Sequence, residues 1–106
     1  MTKPTIKEFH NYVYGKLSKK ILKKYRSFQI LSESDLQSYV WYYISKYLRN
    51  TETEKGLHKV HNNHYIKELD IHPDIAIFRR KKPWIIFELK EGRKLKKPTV
   101  LKEFRD

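Results

Sequence analysis

Cysteine is absent from the 106 residues of this chain. Disulfide bonds and thiolate metal sites are therefore excluded. No apolar run approaches the ~20 residues that a helix needs to cross a bilayer. The N-terminal stretch MTKPTIKEFHNYVYGKL lacks the continuous apolar segment of a signal peptide. We therefore expect an intracellular protein, either cytoplasmic or associated with the nucleoid.

Acidic residues are scarce as well. Twelve Asp and Glu stand against 24 Lys and Arg, which gives a net charge of +12. Such a charge on a small protein favours a polyanionic partner, with nucleic acid as the first candidate and an anionic membrane surface as the second. The composition, 39% hydrophobic and 34% charged, is typical of a folded chain. We expect one domain spanning residues 1–106, with a single modest core.

Two segments have the periodicity of amphipathic helices. In residues 5–24, apolar side chains recur at helical spacing, and lysines crowd the end of the segment. Residues 32–49 form the second predicted helix, with Ser32 or Ser34 as its N-cap. The aromatic residues of this helix could stack on nucleic-acid bases. Their helical spacing favours positions in the core and at its rim instead.

The second half of the chain is predicted to form a sheet. One strand is expected within residues 57–69, and two more at 73–78 and 84–90, separated by the basic turn RRKKP. Residues 91–98 are expected to form a loop, and residues 99–105 to begin a helix.

The two later strands suggest an antiparallel hairpin centred on Lys81, in which Phe78 faces Trp84 and Asp74 faces Glu88. Side chains alternate along a strand, so one face carries Asp74, Glu88 and Lys90. The other face is apolar and consists of Ile75, Ile77, Ile85, Phe87 and Leu89. Two facing carboxylates repel each other, and a proton, Lys90 or a divalent cation would relieve that repulsion. If the cation is a metal, oxygen ligands with open positions suit Mg²⁺ or Mn²⁺. The alternative to a metal site is an ordinary ion pair at the edge of the strand. A β-bulge would shift this register.

The stretches PDIAIF and IIFELK resemble the signature of the PD-(D/E)XK nuclease superfamily, which has the restriction-endonuclease-like fold. The resemblance implies an α/β fold in which a mixed β-sheet with a central antiparallel hairpin is flanked by helices. It implies that Asp74, Glu88 and the main-chain carbonyl of Leu89 bind Mg²⁺ or Mn²⁺. Lys90 would then be the catalytic lysine.

The stretch ESDLQSYVWYYISKYL is similar to the Glu-x-x-x-Gln helix of virus-type replication-repair nucleases. It is also similar to the glutamate-bearing first helix of archaeal Holliday-junction resolvases. This likeness implies Glu33 as a further catalytic residue and metal ligand, with Asp35 as its substitute. A plain helix N-terminal charge is the alternative. The superfamily usually continues with more structure after the lysine, so we expect a minimal or C-terminally truncated version. A homodimer or a missing partner segment would complete it.

These features predict a divalent-metal-dependent nuclease that hydrolyses phosphodiester bonds, with DNA favoured over RNA through the resemblance alone. The basic residues expected to hold the nucleic-acid backbone are Arg79, Arg80, Lys81, Lys82, Arg93, Lys94, Lys96 and Lys97. A basic nucleic-acid-binding module with a non-catalytic acidic cluster is the alternative. A membrane-surface or protein-interaction domain is a third possibility, but only the first helix approaches the one-sided basic surface that it needs.

Histidines recur in the stretch HKVHNNH. Zinc sites normally use four well-placed ligands, and neither a helix nor a strand places all three of these histidines on one side. The spacing therefore does not favour a zinc site. His72, two residues before Asp74 on the same face, could contact substrate or transfer a proton. A plain strand-end histidine is the alternative there.

Overall fold

The computed structural model describes residues 2–89 and the backbone of residues 99–103. The first predicted helix is present, but it is divided by a π-helical turn that contains Gly15, a residue that lowers helix propensity. Thr5 caps its start in a capping box with Glu8, because each side chain accepts a hydrogen bond from the other residue's main-chain N–H. The three helical pieces are α1 (Ile6–Tyr12), the π turn (Val13–Leu17) and α2 (Ser18–Arg26).

Helix α3 extends over Glu33–Thr51, which confirms the second predicted helix. Its N-cap is Ser32, whose hydroxyl accepts a hydrogen bond from the N–H of Asp35 at 3.1 Å. The carboxylate of Asp35 in turn accepts the N–H of Leu31 at 2.9 Å. Asp35 therefore serves the start of the helix.

The sheet contains four strands in the order in which they occur in the chain. The helix expected at residues 99–105 is wrong, since residues 99–103 form a strand there. All pairings between the described strands are antiparallel, so the expected mixed sheet is not found in this part of the chain. A parallel pair requires a long crossover connection, whereas here each strand pairs with the next one along the chain. The strands are β1 (His58–Asn62), β2 (Ile75–Arg79), β3 (Lys82–Glu88) and β4 (Thr99–Glu103).

The β2–β3 hairpin confirms the predicted register over the first three residues of β2, where Ile75 lies opposite Phe87. A β-bulge then shifts the pairing by one residue, and Phe78 lies opposite Pro83. The predicted pair of Phe78 with Trp84 is therefore wrong. Trp84 is the extra residue of the bulge, and it packs into the main core with 1% of its surface exposed.

The helices cover one face of the sheet. Phe9 and Leu17 from the N-terminal helices, with Val40 from α3, pack against Ile77 and Ile85, as the predicted apolar face requires. The opposite face is covered over part of its area by residues 66–71, which contain a 3₁₀ turn at Lys67–Leu69. Among the described residues, then, α-helices flank the sheet on one side only. No helix in this part of the chain is both long and apolar enough to span a bilayer.

Candidate functional site

Asp74 lies immediately before β2 and is held at three points. Its carboxylate Oδ2 accepts the main-chain N–H of Leu89 at 2.7 Å. Its main-chain carbonyl accepts the Nε2–H of Gln37 at 2.6 Å and the N–H of Asn63 at 3.0 Å. Helix α3, the end of β1 and the end of β3 thus meet at this one residue, which fixes both its backbone and its carboxylate.

Gln37 and Asn63 were not among the predicted site residues. Gln37 lies one turn after Glu33 on α3, and its amide also donates to the Asn63 side-chain oxygen at 3.1 Å. Asn63 has a φ of 52°, a left-handed conformation that asparagine adopts more readily than most residues. A sequence signal for this position exists, because an Asn pair after a strand is typical of a turn.

The predicted carboxylates differ in their surroundings. Asp74 is half-buried, while Glu88 and Glu33 are exposed. Glu33 stands four residues before Gln37, so the two lie on the same side of α3. Within residues 2–89, no three His, Asp or Glu side chains are grouped closely enough to hold one ion. Asp74, Glu88 and Glu33 therefore do not form such a group in this conformation.

The chemistry of the donors nevertheless suits a hard divalent cation. The candidate ligands are two carboxylates and a main-chain carbonyl, all oxygen donors of the kind that Mg²⁺ and Mn²⁺ prefer. A carboxylate has about four lone-pair positions, so Asp74 can accept the Leu89 N–H and still bind a cation. The predicted catalytic Lys90 lies outside the described residues, as do Arg93, Lys94, Lys96 and Lys97.

His72 lies beside this site on an exposed position. Its Nε2 is 2.5 Å from the main-chain carbonyl of Asn63. A carbonyl can only accept, so Nε2 carries the proton in this contact. The His72 ring thereby supports the same Asn63 that fixes the backbone of Asp74.

The other histidines are dispersed. The rings of His61 and His64 lie 4.9 Å apart, whereas His58 is buried and serves a separate network. Burial, the neighbouring His64 and Lys59 all lower the pKa of His61. Within residues 2–89, these histidines are not grouped closely enough with one another or with acidic side chains to hold one ion.

Arg79 differs from the expectation that it holds nucleic acid at the surface. Only 5% of it is exposed, and its guanidinium lies 3.8 Å from the centre of the Trp84 ring. Its Nε–H donates to His58 Nε2 at 2.9 Å, and its Nη2 donates to the Pro4 carbonyl at 2.5 Å. His58 Nε2 is therefore an acceptor, so Nδ1 carries the proton and donates to Glu52 at 3.0 Å. Arg79 acts within the core, where it ties the N-terminus to the sheet.

The rest of the predicted basic turn is exposed: Arg80, Lys81 and Lys82. Arg80 makes one long contact with Glu54, 3.7 Å between Nη2 and Oε1, and both side chains are mostly exposed. Such a pair contributes little to stability. These three cations are therefore available to an anionic partner.

Comparison of the chain with protein-family models, with curated protein sequences and with solved structures gives no significant match. The structure itself establishes an α/β protein with helices on one face of an antiparallel sheet. The resemblance to PD-(D/E)XK nucleases rests on the motif residues and remains a prediction.

Proposed function

We propose that this chain is a divalent-metal-dependent nuclease with a restriction-endonuclease-like core, and that it hydrolyses phosphodiester bonds. DNA is preferred over RNA on the family resemblance alone. The observation that carries the proposal is the 2.7 Å hydrogen bond from the Leu89 N–H to the Asp74 carboxylate. It joins the Pro-Asp segment to the Glu-x-Lys segment, and these two segments supply Asp74, Glu88 and Lys90, whereas Glu33 comes from α3.

In this proposal Asp74, Glu88 and the Leu89 carbonyl hold Mg²⁺ or Mn²⁺. The ion would polarise the phosphodiester and lower the pKa of a bound water. Lys90 would stabilise charge that develops on the phosphate. Glu33 would reach the site as a further ligand, directly or through water, from the side of α3 that Gln37 holds against Asp74.

The charge of the chain supports a nucleic-acid substrate. Basic residues outnumber acidic ones by 24 to 12, and the exposed cations of the basic turn lie on the same hairpin as Asp74. Binding should therefore weaken steeply with salt, by about 0.9 in the log–log slope for each phosphate contact on duplex DNA. Neutralising Arg80, Lys81 and Lys82 together should flatten that slope.

The competing proposal is a nucleic-acid-binding module whose acidic cluster has no catalytic role. The same exposed basic turn favours it. Metal-dependent cleavage separates the two proposals, because a binding module has no Mg²⁺-dependent activity to lose.

The test incubates labelled DNA and RNA with wild-type protein and four variants, in Mg²⁺, Mn²⁺ or EDTA. Asp74→Asn and Glu88→Gln keep side-chain shape but remove charge, so each should abolish cleavage and leave binding intact. Lys90→Ala should lose cleavage and keep metal binding, because an ammonium group is not a ligand. Glu33→Gln should have a milder effect. Asp35→Asn is the matched control, since Asp35 serves the helix start. If the wild-type protein cuts no substrate with either metal, the nuclease proposal is wrong and the proposal of a nucleic-acid-binding module stands.

We also propose that the working form is a homodimer or contains a partner segment. The observation behind this is that two apolar side chains in the segment before α3, Phe28 and Leu31, are 79% and 71% exposed, and contact with a second chain would remove them from water. Light scattering should show a mass above that of one chain. A stable monomer with cleavage activity would contradict this proposal.

A further inference from the structure

A groove of about 960 Å³ lies beside the turn end of the hairpin, away from the candidate catalytic residues. It opens between residues 64–69 and residues 78–83, and neither Asp74 nor Glu88 lines it. Its apolar floor includes Ile66 and Leu69, which belong to the small core on the sheet face opposite the helices. A volume of this order is within the range of pockets that bind small organic ligands.

Aromatic rings line both sides of the groove, with Tyr65 and His64 in the first segment and Phe78 in the second. Tyr65 is 51% exposed, and its hydroxyl donates to Asp70 Oδ1 at 2.5 Å, which fixes the orientation of the ring. His64 meets Phe78 edge-on, with ring centres 5.3 Å apart and planes at 84°. The hydrogen bond to Asp70 therefore holds the Tyr65 ring in place before any ligand arrives, which lowers the entropic cost of binding.

Positive charge forms one rim, and the backbone there is unusual. Arg80 and Lys81 both have left-handed φ angles, 51° and 66°, in a two-residue hairpin turn. Asn and Gly are the favoured residues at these positions. Long cationic side chains stand there instead, with Lys82 next in sequence, and all three are exposed. The turn thus presents charge at positions where conformational preference alone would select other residues.

We propose that this groove binds one unpaired nucleotide of a single-stranded nucleic acid, with the base against Tyr65 and the phosphates at Arg80, Lys81 and Lys82. The inference rests on the proposed function in that it takes nucleic acid as the partner. A polyanion without bases would contact the three cations of the rim but not the Tyr65 ring. A duplex would keep its bases stacked in pairs, away from Tyr65. Stacking on an aromatic ring suits any base, so the groove selects unpaired strands without a sequence preference.

The first test measures binding of a labelled oligothymidine in EDTA, so that cleavage cannot interfere. Tyr65→Ala should lower the affinity about tenfold, since one stacked base is lost. Tyr65→Phe keeps the ring but loses its hydrogen bond to Asp70, so it should lose less affinity than Tyr65→Ala. Inorganic polyphosphate, which has no bases, should bind wild type and Tyr65→Ala equally.

The second test concerns the rim. Arg80→Asn with Lys81→Asn keeps residues that tolerate the left-handed turn while removing two charges. This double variant should weaken binding of both oligothymidine and polyphosphate, and flatten the salt dependence by about 0.7 per lost phosphate contact on a single strand. The matched control, Lys7→Gln with Lys46→Gln, removes two exposed charges from the helices and should have a smaller effect.

Three results would overturn the proposal that this groove binds an unpaired nucleotide. Tyr65→Ala could bind oligothymidine as tightly as wild type, it could lose polyphosphate affinity to the same degree, or duplex DNA could compete as well as single-stranded DNA. If Tyr65→Ala fails to fold, amide shifts of wild-type Tyr65 and Lys81 on titration with oligothymidine decide the question, and their absence overturns the proposal. Failure of the nuclease proposal gives a different result: metal-dependent cleavage is missing, while binding that depends on Tyr65 persists.

Discussion

The two ends of the β2–β3 hairpin are built in opposite ways. At the open end, hydrogen bonds from Gln37, Asn63 and Leu89 converge on Asp74. At the turn end, Arg80 and Lys81 adopt left-handed backbone angles and extend their charges into solvent. The acidic end is held by neutral donors from three segments, whereas the basic end is a strained turn of two residues.

The acidic end suits metal-dependent chemistry, and the basic end suits phosphate binding. A strand rises about 3.3 Å per residue, so Asp74 and Arg79 lie about 17 Å apart along β2. Carboxylates repel phosphate unless a cation lies between them, while the basic turn attracts phosphate without help. A protein that cuts nucleic acid would keep binding and chemistry at opposite ends of this hairpin. Substitutions at the two ends should therefore have effects that differ in kind as well as in size.

The largest effect on stability is expected beneath the turn end. Arg79→Met removes the hydrogen bonds to His58 and Pro4 and the contact with Trp84. Because the change leaves His58 Nε2 and the Pro4 carbonyl without their donor, it should destabilise the fold by about 2–5 kcal/mol, at about 1–3 kcal/mol for each unsatisfied group. Urea denaturation measures this. Arg80→Met is the neighbouring control, and its exposed ion pair should contribute less than about 1 kcal/mol. Equal losses in the two variants would contradict the assigned role of Arg79.

A smaller effect is expected at the open end. Gln37→Ala removes the donor to the Asp74 carbonyl at 2.6 Å, while the Asn63 N–H continues to serve that carbonyl. The loss of stability should be about 1–2 kcal/mol. If Asp74 is catalytic, cleavage should fall more than binding, because the carboxylate is less well positioned. Ser38→Ala, which removes only a bond within α3, is the control. Unchanged cleavage with Gln37→Ala would show that this contact does not position the site.

The turn end should also respond to acid through Glu52. Burial acts to raise the pKa of Glu52, but hydrogen bonds from the His58 side chain and from the N–H groups of Gly56 and His58 outweigh it, so the pKa lies below its ordinary value of 4.5. Because the pKa of Glu52 is lower in the folded state than in the unfolded state, its ionisation stabilises the fold at pH values above the unfolded-state pKa. This contribution is lost as the pH falls through the folded-state pKa. Wild type should therefore lose stability below about pH 5 more steeply than Glu52→Gln. Glu54→Gln, an exposed neighbour, should follow the wild-type curve. Parallel curves for wild type and Glu52→Gln would contradict this.

Sequence reasoning worked where one periodicity governed a segment. The alternation of Ile75 and Ile77 against Ile85 and Phe87 predicted the apolar face, because one buried face of a hairpin specifies its register. It was wrong at Trp84, since a bulge depends on how a large ring fits the core. It was wrong at residues 99–103, which pair with β3 as a strand and begin with the strand-favouring residues Thr99 and Val100.

The candidate site was predicted only in part for a related reason. Asp74 and Glu88 stand out as charges in apolar runs, whereas Glu33 was implied by the likeness of its helix to that of related nucleases. Gln37 and Asn63 act through contacts between distant segments, 26 positions apart, which no local pattern encodes. Arg79 shows the reverse case. Its place in a run of four basic residues suggested the surface, but the rings and carbonyls around it draw it into the core.

The smallest effect on stability is expected at the turn itself. Lys81 has a φ of 66°, so Lys81→Gly relieves left-handed strain and should stabilise the fold by about 0.5–1 kcal/mol. The same substitution one residue later, Lys82→Gly, falls within β3 and should destabilise it by about 0.5–1 kcal/mol, since glycine weakens a strand. Both variants remove one exposed positive charge next to the groove, so the charge change is matched. Denaturation curves should move in opposite directions for the two variants. A loss of stability in both would mean that the Lys81 side chain contributes packing that outweighs its strain.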